Sequence, residues 1–333
     1  MTANSKWITI ESLEEPVTRV ARRALKARLR WLWSRLPLAA EAAEDDLEHV
    51  HQLRVASRRA TAAMETFAPY LPPRRAAWFD RKLKRIRRAA GEARDLDVLT
   101  LRLQKEFQGD TSAAVAAIVE RVSVARNEAQ PEILAVYHRL QSHEFRQRIR
   151  KLVCRVRLRE TRGENSCGDS CCDSAARDSD SCSAECPGNR EPSIFKAARS
   201  QMRHLVDAWF TAAEADLSDT HRLHLFRIAG KRLRYAMEIF SAALGSNCRK
   251  ELYPQVEGIL EQLGQINDHV TSEARFQVWL HETEQADQRT LLMRLLSSDA
   301  QAIANGLHGF FQLWNAEHRN ALRARFDHEL ADG

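Results

Sequence analysis

His51, Arg54, Arg58 and Arg59 stand in a segment His-x-x-Arg-Val-Ala-x-Arg-Arg. His224, Arg227, Lys231 and Arg232 stand in a second, His-x-x-Arg-Ile-Ala-x-Lys-Arg. On a helix, positions i, i+3 and i+7 share one face. His51, Arg54 and Arg58 therefore form a row with steps of roughly 5 Å, and His224, Arg227 and Lys231 form another. Arg offers a planar fork for anionic oxygens and Lys a compact point charge. Such a row suits a chain of phosphates. A single copy would read instead as a solvated charged face, or as His and Arg capping and pairing with nearby carboxylates. Two copies that keep the His, the Arg and the basic pair, while Gln52 and Leu53 become Leu225 and Phe226, point to binding.

Other constellations are less specific. Arg23, Lys26 and Arg30 repeat the i, i+3, i+7 spacing, as do Lys196, Arg199 and Arg203. If these helices lie beside the histidine helices, two basic stripes line one groove; otherwise they are wet surface. The run Arg81 to Arg88 places Leu83 and Ile86 toward a core and turns a cationic face outward. Arg85 and Arg88 from it either extend the site or are only charged surface. Gly91-x-x-Arg94-Asp95-x-Asp97 is echoed by Gly264-x-x-Asn267-Asp268. An Asp-x-Asp pair can hold a divalent metal, but i and i+2 diverge on a helix. Asp95 therefore reads as a helix cap or as an ion pair orienting His51 or an Arg. Cys167, Cys171, Cys172, Cys182 and Cys186 have spacings that zinc could use, but no apolar residues surround them, and they read as free thiols. There is no Gly-rich phosphate loop, no His-Glu-x-x-His and no Gly-x-Ser-x-Gly. Trp31, Phe67, Phe79, Phe240, Phe310 and Trp314 fall at core spacing and do not interleave with the basic stripes as base stacking would require.

The elements that must position these residues are helices. The chain has 333 residues with only 12 Gly and 9 Pro, too few for the turns of a strand-rich fold. Ala, Leu, Arg and Glu dominate, and all favour helix. Apolar periodicity predicts a helix from Pro16 that Pro37 ends, and one or two helices over 39–70. A basic helix follows from Trp78, with an interruption near Gly91 and a continuation from Asp95 to Phe107. Helices are also predicted over 113–140, with a break at Pro131, and over 143–159. Helical patterning resumes at Ser193. Cys154 and Cys248 read as ordinary helix residues.

One offset relates the two ends of the chain. Adding 173 carries His51 to His224, Met64 to Met237, Glu65 to Glu238 and Phe67 to Phe240. It also carries Ile86 to Ile259, Gly91 to Gly264, Asp95 to Asp268 and Arg102 to Arg275. Upstream it pairs Arg23, Lys26 and Arg30 with Lys196, Arg199 and Arg203. An ungapped register over about eighty residues predicts an internal duplication. The fold expected is all-α, two homologous helical bundles of four-helix type related by a pseudo-twofold axis. Residues 1–15 read as an irregular, weakly ordered N-terminal segment, 16–159 as the first half, 160–192 as a flexible acidic Cys/Ser-rich linker and 193–330 as the second half.

Charge follows this division. The net is 51 − 45 = +6. His51 to Arg94 holds 12 Lys/Arg against 3 Asp/Glu, and His221 to Lys250 holds 7 against 1, whereas Glu160 to Glu191 holds 3 against 8. No apolar leader core or run of ~18 apolar residues is present. A cytoplasmic location with reduced cysteines is expected.

The paired histidine segments, with Gly91-Glu-Ala-Arg-Asp-Leu-Asp and Leu263-Gly-Gln-Ile-Asn-Asp after them, resemble the CHAD family, the conserved histidine α-helical domain. The resemblance covers about residues 15–330 apart from the Cys-rich insert, which is not part of the family's pattern. It implies two helical bundles with pseudo-twofold symmetry that bind inorganic polyphosphate through basic residues. Some members sit on polyphosphate granules, and some are fused to a triphosphate-processing domain that has no counterpart here. The resemblance assigns polyphosphate binding to Arg23, Lys26, Arg30, His51, Arg54, Arg58 and Arg59, and to Lys196, Arg199, Arg203, His224, Arg227, Lys231 and Arg232. Arg85 and Arg88 are added from the basic run. Asn267, standing where the first copy has Arg94, removes one charge.

The resulting expectation is a stand-alone, non-enzymatic polyphosphate-binding module, with no catalytic residue, metal or cofactor. Polyphosphate-granule proteins are possible partners, and a membrane is not. The rivals are a phosphoryl-transfer or polyphosphate-hydrolysing enzyme using His51 or His224 with Asp95 and Asp268 on a metal, a nucleic-acid-binding protein, and a scaffold for granule proteins. Histidines near phosphate favour the protonated form, so binding is expected to strengthen below about pH 6.5.

Overall fold

A computed structural model describes residues 6–43, 46–158 and 191–331. The cysteine cluster between Cys167 and Cys186 lies outside the described residues. The described chain is helical, with one isolated bridge between Pro16 and Ser193 and no strand. The helices are α1 (Val17–Glu41), α2 (Glu48–Thr66), α3 (Pro73–Glu106), α4 (Ala113–Ser142), α5 (Phe145–Val153), α6 (Ile194–Ala212), α7 (Thr220–Leu244), α8 (Tyr253–Glu282), α9 (Ala286–Leu313) and α10 (Ala316–Leu330).

Apolar stripes make the packing. On α1, Val17, Val20, Ala24, Leu25, Leu29, Leu32 and Leu36 are all buried, the spacing a half-buried helix needs. α1 packs on α2, α2 on α3 and α3 on α4, with α5 returning to α1. α6 packs on α7, α7 on α8 and α8 on α9, with α10 returning to α6. Between these groups α1 touches α6, α2 touches α7, α3 touches α8 and α4 touches α9. One apolar core runs through all of them from Ile8 to Leu330. Phe67 and Phe240 meet edge to face at 6.0 Å across the α2–α7 contact.

Three predicted breaks are absent. Pro37 lies inside α1 and Pro131 inside α4. A proline there removes one helical N–H and costs about 3 kcal/mol. Packing outweighs that cost: Leu36 is buried before Pro37 and Ala39 and Ala40 beyond it, and Gln130 Nε2 donates to the carbonyls of Ala39 and Ala40 at 2.9 Å. Gly91 also leaves α3 unbroken. Its carbonyl accepts from Arg54 Nη1 at 3.0 Å, and the guanidinium lies across the low surface that the missing side chain leaves.

The chain ends and the linker edge also differ from expectation. Residues 6–15 are irregular but not weakly held. Ile8 is buried, its N–H donates to the Glu238 carbonyl at 3.1 Å, and Trp7 meets Tyr253 edge to face. Glu191 and Pro192 belong to the packed structure rather than to a linker. Glu191 Oε1 accepts from Thr18 N at 2.7 Å, and the Pro192 carbonyl accepts from Val17 N at 3.2 Å. These two residues supply acceptors for the first N–H groups of α1, which have no partner within the helix. Cys154 caps the end of α5 rather than lying inside it, and Cys248 opens a short π-turn before α8.

Candidate anion-binding groove

α2 and α7 cross with their basic faces toward one another. Arg58 from α2 and Arg227, Lys231 and Arg234 from α7 line an open groove of about 340 Å³, whose far wall is Glu257, Leu260 and Glu261 of α8. Arg54 lies deeper, hydrogen-bonded to Gly91 and paired with Asp95 at 3.1 Å. Arg227 donates to Asn267 Oδ1 at 3.3 Å, and its guanidinium lies beside Gly264. Asp95 and Asp268 each sit close enough to bear on both Arg54 and Arg227. Asp95 is therefore neither a helix cap nor, with Asp97, half of an Asp-x-Asp metal pair. It lies in mid-helix and holds Arg54, while buried Asp97 turns away to Arg126 at 2.6 Å.

The groove concentrates positive charge. Arg58 and Lys231 pair with no carboxylate among the described residues; Glu257 is taken by Lys6 and Arg234. Burial first, then Arg58, pulls Arg227 down to about 10. Burial, then Arg58, Arg227, Arg54 and Arg234, pulls the Lys231 amine down to about 6. Of this group only Lys231 can relieve the crowding by shedding a proton, because a guanidinium stays charged. His51 is lowered by burial and then chiefly by Arg94, and His224 by burial and then Arg227.

The Lys231 value carries a stability consequence. Its folded value lies below the unfolded one of 10.5. As pH falls from there, the unfolded chain takes up a proton that the folded chain refuses. Stability is therefore lost progressively down to about pH 6. Lys231→Met is expected to stabilise the ligand-free protein at pH 7.5, by on the order of 2 kcal/mol once solvent screening is allowed for. The gap from the parent, read by urea unfolding, should close as pH approaches 10. A gap independent of pH would mean that Lys231 stays charged.

The remaining candidates are placed as follows. None of Arg23, Lys26, Arg30, Lys196, Arg199 and Arg203 lines this groove, so the two-stripe groove is not what α1 and α6 build. Arg23 is bound by Glu11 and Glu15, and Arg203 donates to the Leu330 carbonyl at 2.6 Å. Arg199 lies over the Phe195 ring, and Lys26 and Arg30 are exposed. Arg59 is committed inward, with two hydrogen bonds to Glu238 at 2.7 and 3.1 Å, while Arg232 is exposed, 3.8 Å from Glu65. Arg85 and Arg88 join Arg139 and Glu132 around a separate groove of about 370 Å³ between α3 and α4, roughly 10–15 Å along α3 from Asp95. The structure adds Arg234 and Arg94. The 173-residue offset carries Arg234 to Thr61 and Arg94 to Asn267, so repetition could not mark either.

This architecture has been seen before. The CHAD domain from the plant Ricinus communis, known from a crystal structure, superimposes with a TM-score of 0.62 at 20% identity, covering 97% of this chain and 95% of that one. PptA from Streptomyces chartreusis superimposes with a TM-score of 0.63 at 16% identity, covering 90% and 99%. The family model described as the CHAD domain matches residues 23–277, and the chain belongs to that family. No curated protein sequence matches it. Among the described residues, no helix is long and apolar enough to cross a membrane.

Proposed function

We propose that the protein binds inorganic polyphosphate along the α2–α7 groove and does not turn it over. The observation that carries this reading is the convergence of Arg58, Arg227 and Lys231, from two helices, on one open groove, with Arg58 and Lys231 paired to no carboxylate among the described residues. A linear polyanion is bound by many such contacts, each releasing counterions, so affinity falls steeply with salt. The groove wall offers Leu260 but no aromatic ring, which favours a ligand read by its phosphates over one read by its bases. Asp95 is paired with Arg54 and Asp268 lies beside Arg227, and these cations compete with a metal for the two carboxylates, which disfavours the metal-assisted hydrolase.

The reading includes two homologous halves about a pseudo-twofold axis. Reciprocal pairs support it: Arg59 reaches Glu238 while Arg232 reaches Glu65, at positions that the offset exchanges. Phe67 and Phe240, also exchanged, touch each other. It extends to action in the cytoplasm at polyphosphate granules, beside granule proteins, on family resemblance alone.

A competition titration tests it. Labelled long-chain polyphosphate is challenged with duplex DNA, single-stranded RNA and ATP at two salt concentrations. Polyphosphate that resists the nucleic acids supports the reading; equal displacement by DNA, or no binding at low salt, overturns it.

The pH dependence has a definite sign. Phosphate beside Lys231 favours the ammonium, so its value rises from about 6 on binding. Between the free and bound values binding takes up a proton, and affinity grows by up to about tenfold per pH unit as pH falls. Lys231 contributes no further gain below about pH 6. His51 and His224 start below the ordinary histidine value, so their gain completes at lower pH than the sequence alone suggests. Calorimetry at pH 7.5 in two buffers of different ionisation heat should register uptake approaching one proton. No uptake anywhere between pH 6 and 8 would contradict this account of Lys231.

A further inference from the structure

We propose that Lys231 is a site of acyl modification by small acyl phosphates, whose phosphate the surrounding arginines seat and whose acyl group the lysine amine accepts. The seating rests on the reading of the groove as a phosphate site.

The geometry is that of an amine held in a cationic recess open to solvent. Arg54 and Arg58 face it from α2, Arg227 and Arg234 from its own helix, and Glu257, Glu261 and Asp268 from α8. The recess of about 340 Å³ admits a molecule the size of acetyl phosphate. No carboxylate pairs with the amine among the described residues, so nothing holds its proton in place. A lysine desolvated next to other cations is the arrangement that turns this side chain into a nucleophile at neutral pH.

The step balances without a further reactant. The Nζ lone pair attacks the acyl carbon, the bond from that carbon to the phosphate oxygen breaks, and the phosphate leaves with the bonding pair. The amine loses one proton, which the leaving phosphate carries off as hydrogen phosphate. The product is a neutral amide in the groove. It removes one cation and adds bulk where polyphosphate would lie.

The rate advantage can be bounded. At pH 7.5 an ordinary lysine is free amine about one part in a thousand, whereas Lys231, with a value of about 6, is almost wholly free amine. If amine nucleophilicity falls with basicity as steeply as that of thiols, with a coefficient of about 0.45, the lower basicity gives back about a hundredfold. The net preference is about tenfold, before any gain from seating the phosphate.

The test is incubation of the full chain with acetyl phosphate at pH 6.5 to 9, with peptide mass spectrometry following Lys231 beside the exposed Lys26 and Lys84. The expected result is Lys231 acetylation about tenfold or more faster at pH 7.5. With acetyl phosphate kept below saturation the rate follows the unbound amine rather than the ammonium that a seated phosphate favours, so it should be nearly level above pH 7, whereas an ordinary lysine gains about tenfold per unit. Acetylation at Lys231 no faster than at Lys26 and Lys84, with the same rise in pH, overturns the proposal. Polyphosphate binding, measured separately on the same preparation, keeps the two readings apart. Binding without preferential acetylation removes only the modification site, and preferential acetylation without binding removes only the polyphosphate reading. Where both hold, saturating polyphosphate should protect Lys231 and leave Lys26 unaffected.

Discussion

Arg58→Ala combined with Arg227→Ala is expected to weaken polyphosphate binding by a hundredfold or more. Each side chain reaches the groove, and each charge-assisted hydrogen bond contributes about 1.5–3 kcal/mol. Together that is about 3–6 kcal/mol, or on the order of 10² to 10⁴ in affinity. The slope of log affinity against log salt should also flatten by about one to two, because two phosphate contacts are gone. Fluorescence titration at several salt concentrations reads both. The double variant should fold normally, since neither side chain anchors the core and removing like charges relieves Lys231. Arg85→Ala with Arg88→Ala is the informative comparison. If the α3–α4 groove only catches the ends of long chains, that variant should lose affinity for long polyphosphate and none for chains of a few phosphates.

The second large effect is on stability. Glu238 is 1% exposed and receives two hydrogen bonds from Arg59 and one from Tyr253 at 3.1 Å, with Arg28, 4% exposed, 3.5 Å away. Glu238→Ala removes the buried carboxylate that Arg59 and Arg28 share, while Arg28 keeps its hydrogen bond to the Lys6 carbonyl at 2.7 Å. Breaking a buried pair from one side costs about 3–5 kcal/mol, which for a chain of this size lowers Tm by about 4–7 °C. Glu238→Gln keeps acceptor and shape and should cost less. Thermal unfolding by circular dichroism distinguishes these cases. An unchanged Tm for Glu238→Ala would mean that the Glu238 carboxylate does not stabilise the fold. Below the transition, polyphosphate affinity should stay within a few-fold of the parent, because Glu238 serves the packing of α1, α2 and α7 rather than the groove.

Arg58 and Arg59 show how far the sequence reaches. Both are basic, adjacent and repeated at the 173-residue offset, and both read as ligands from sequence. One residue step, about 100° around α2, separates their fates: Arg58 faces the groove and Arg59 faces Glu238. Repetition preserves residues that join the halves as faithfully as residues that face a ligand, so it cannot sort them. The acidic mate was visible at Glu238, but a sequence does not reveal that it crosses from α7 to α2. The converse failure is Arg234, which lines the groove and has no basic counterpart. The helices were legible because their apolar stripes repeat at helical spacing. Pro37, Gly91 and Pro131 misled because propensity is local, and the burial that carries each helix past them is tertiary.

The lowered Lys231 amine is the kind of feature that composition cannot signal. It needs Arg54 and Arg58, about 170 residues away in the chain, brought beside it in one groove. The fold supplies that proximity through the α2–α7 contact.

The most direct test of the central claim is a crystal structure of the complex with a polyphosphate of about ten units. The account predicts density running between α2 and α7, with phosphate oxygens within hydrogen-bonding distance of Arg58, Arg227 and Lys231. Density confined to the Arg85–Arg88–Arg139 face, with the α2–α7 groove empty, would contradict it.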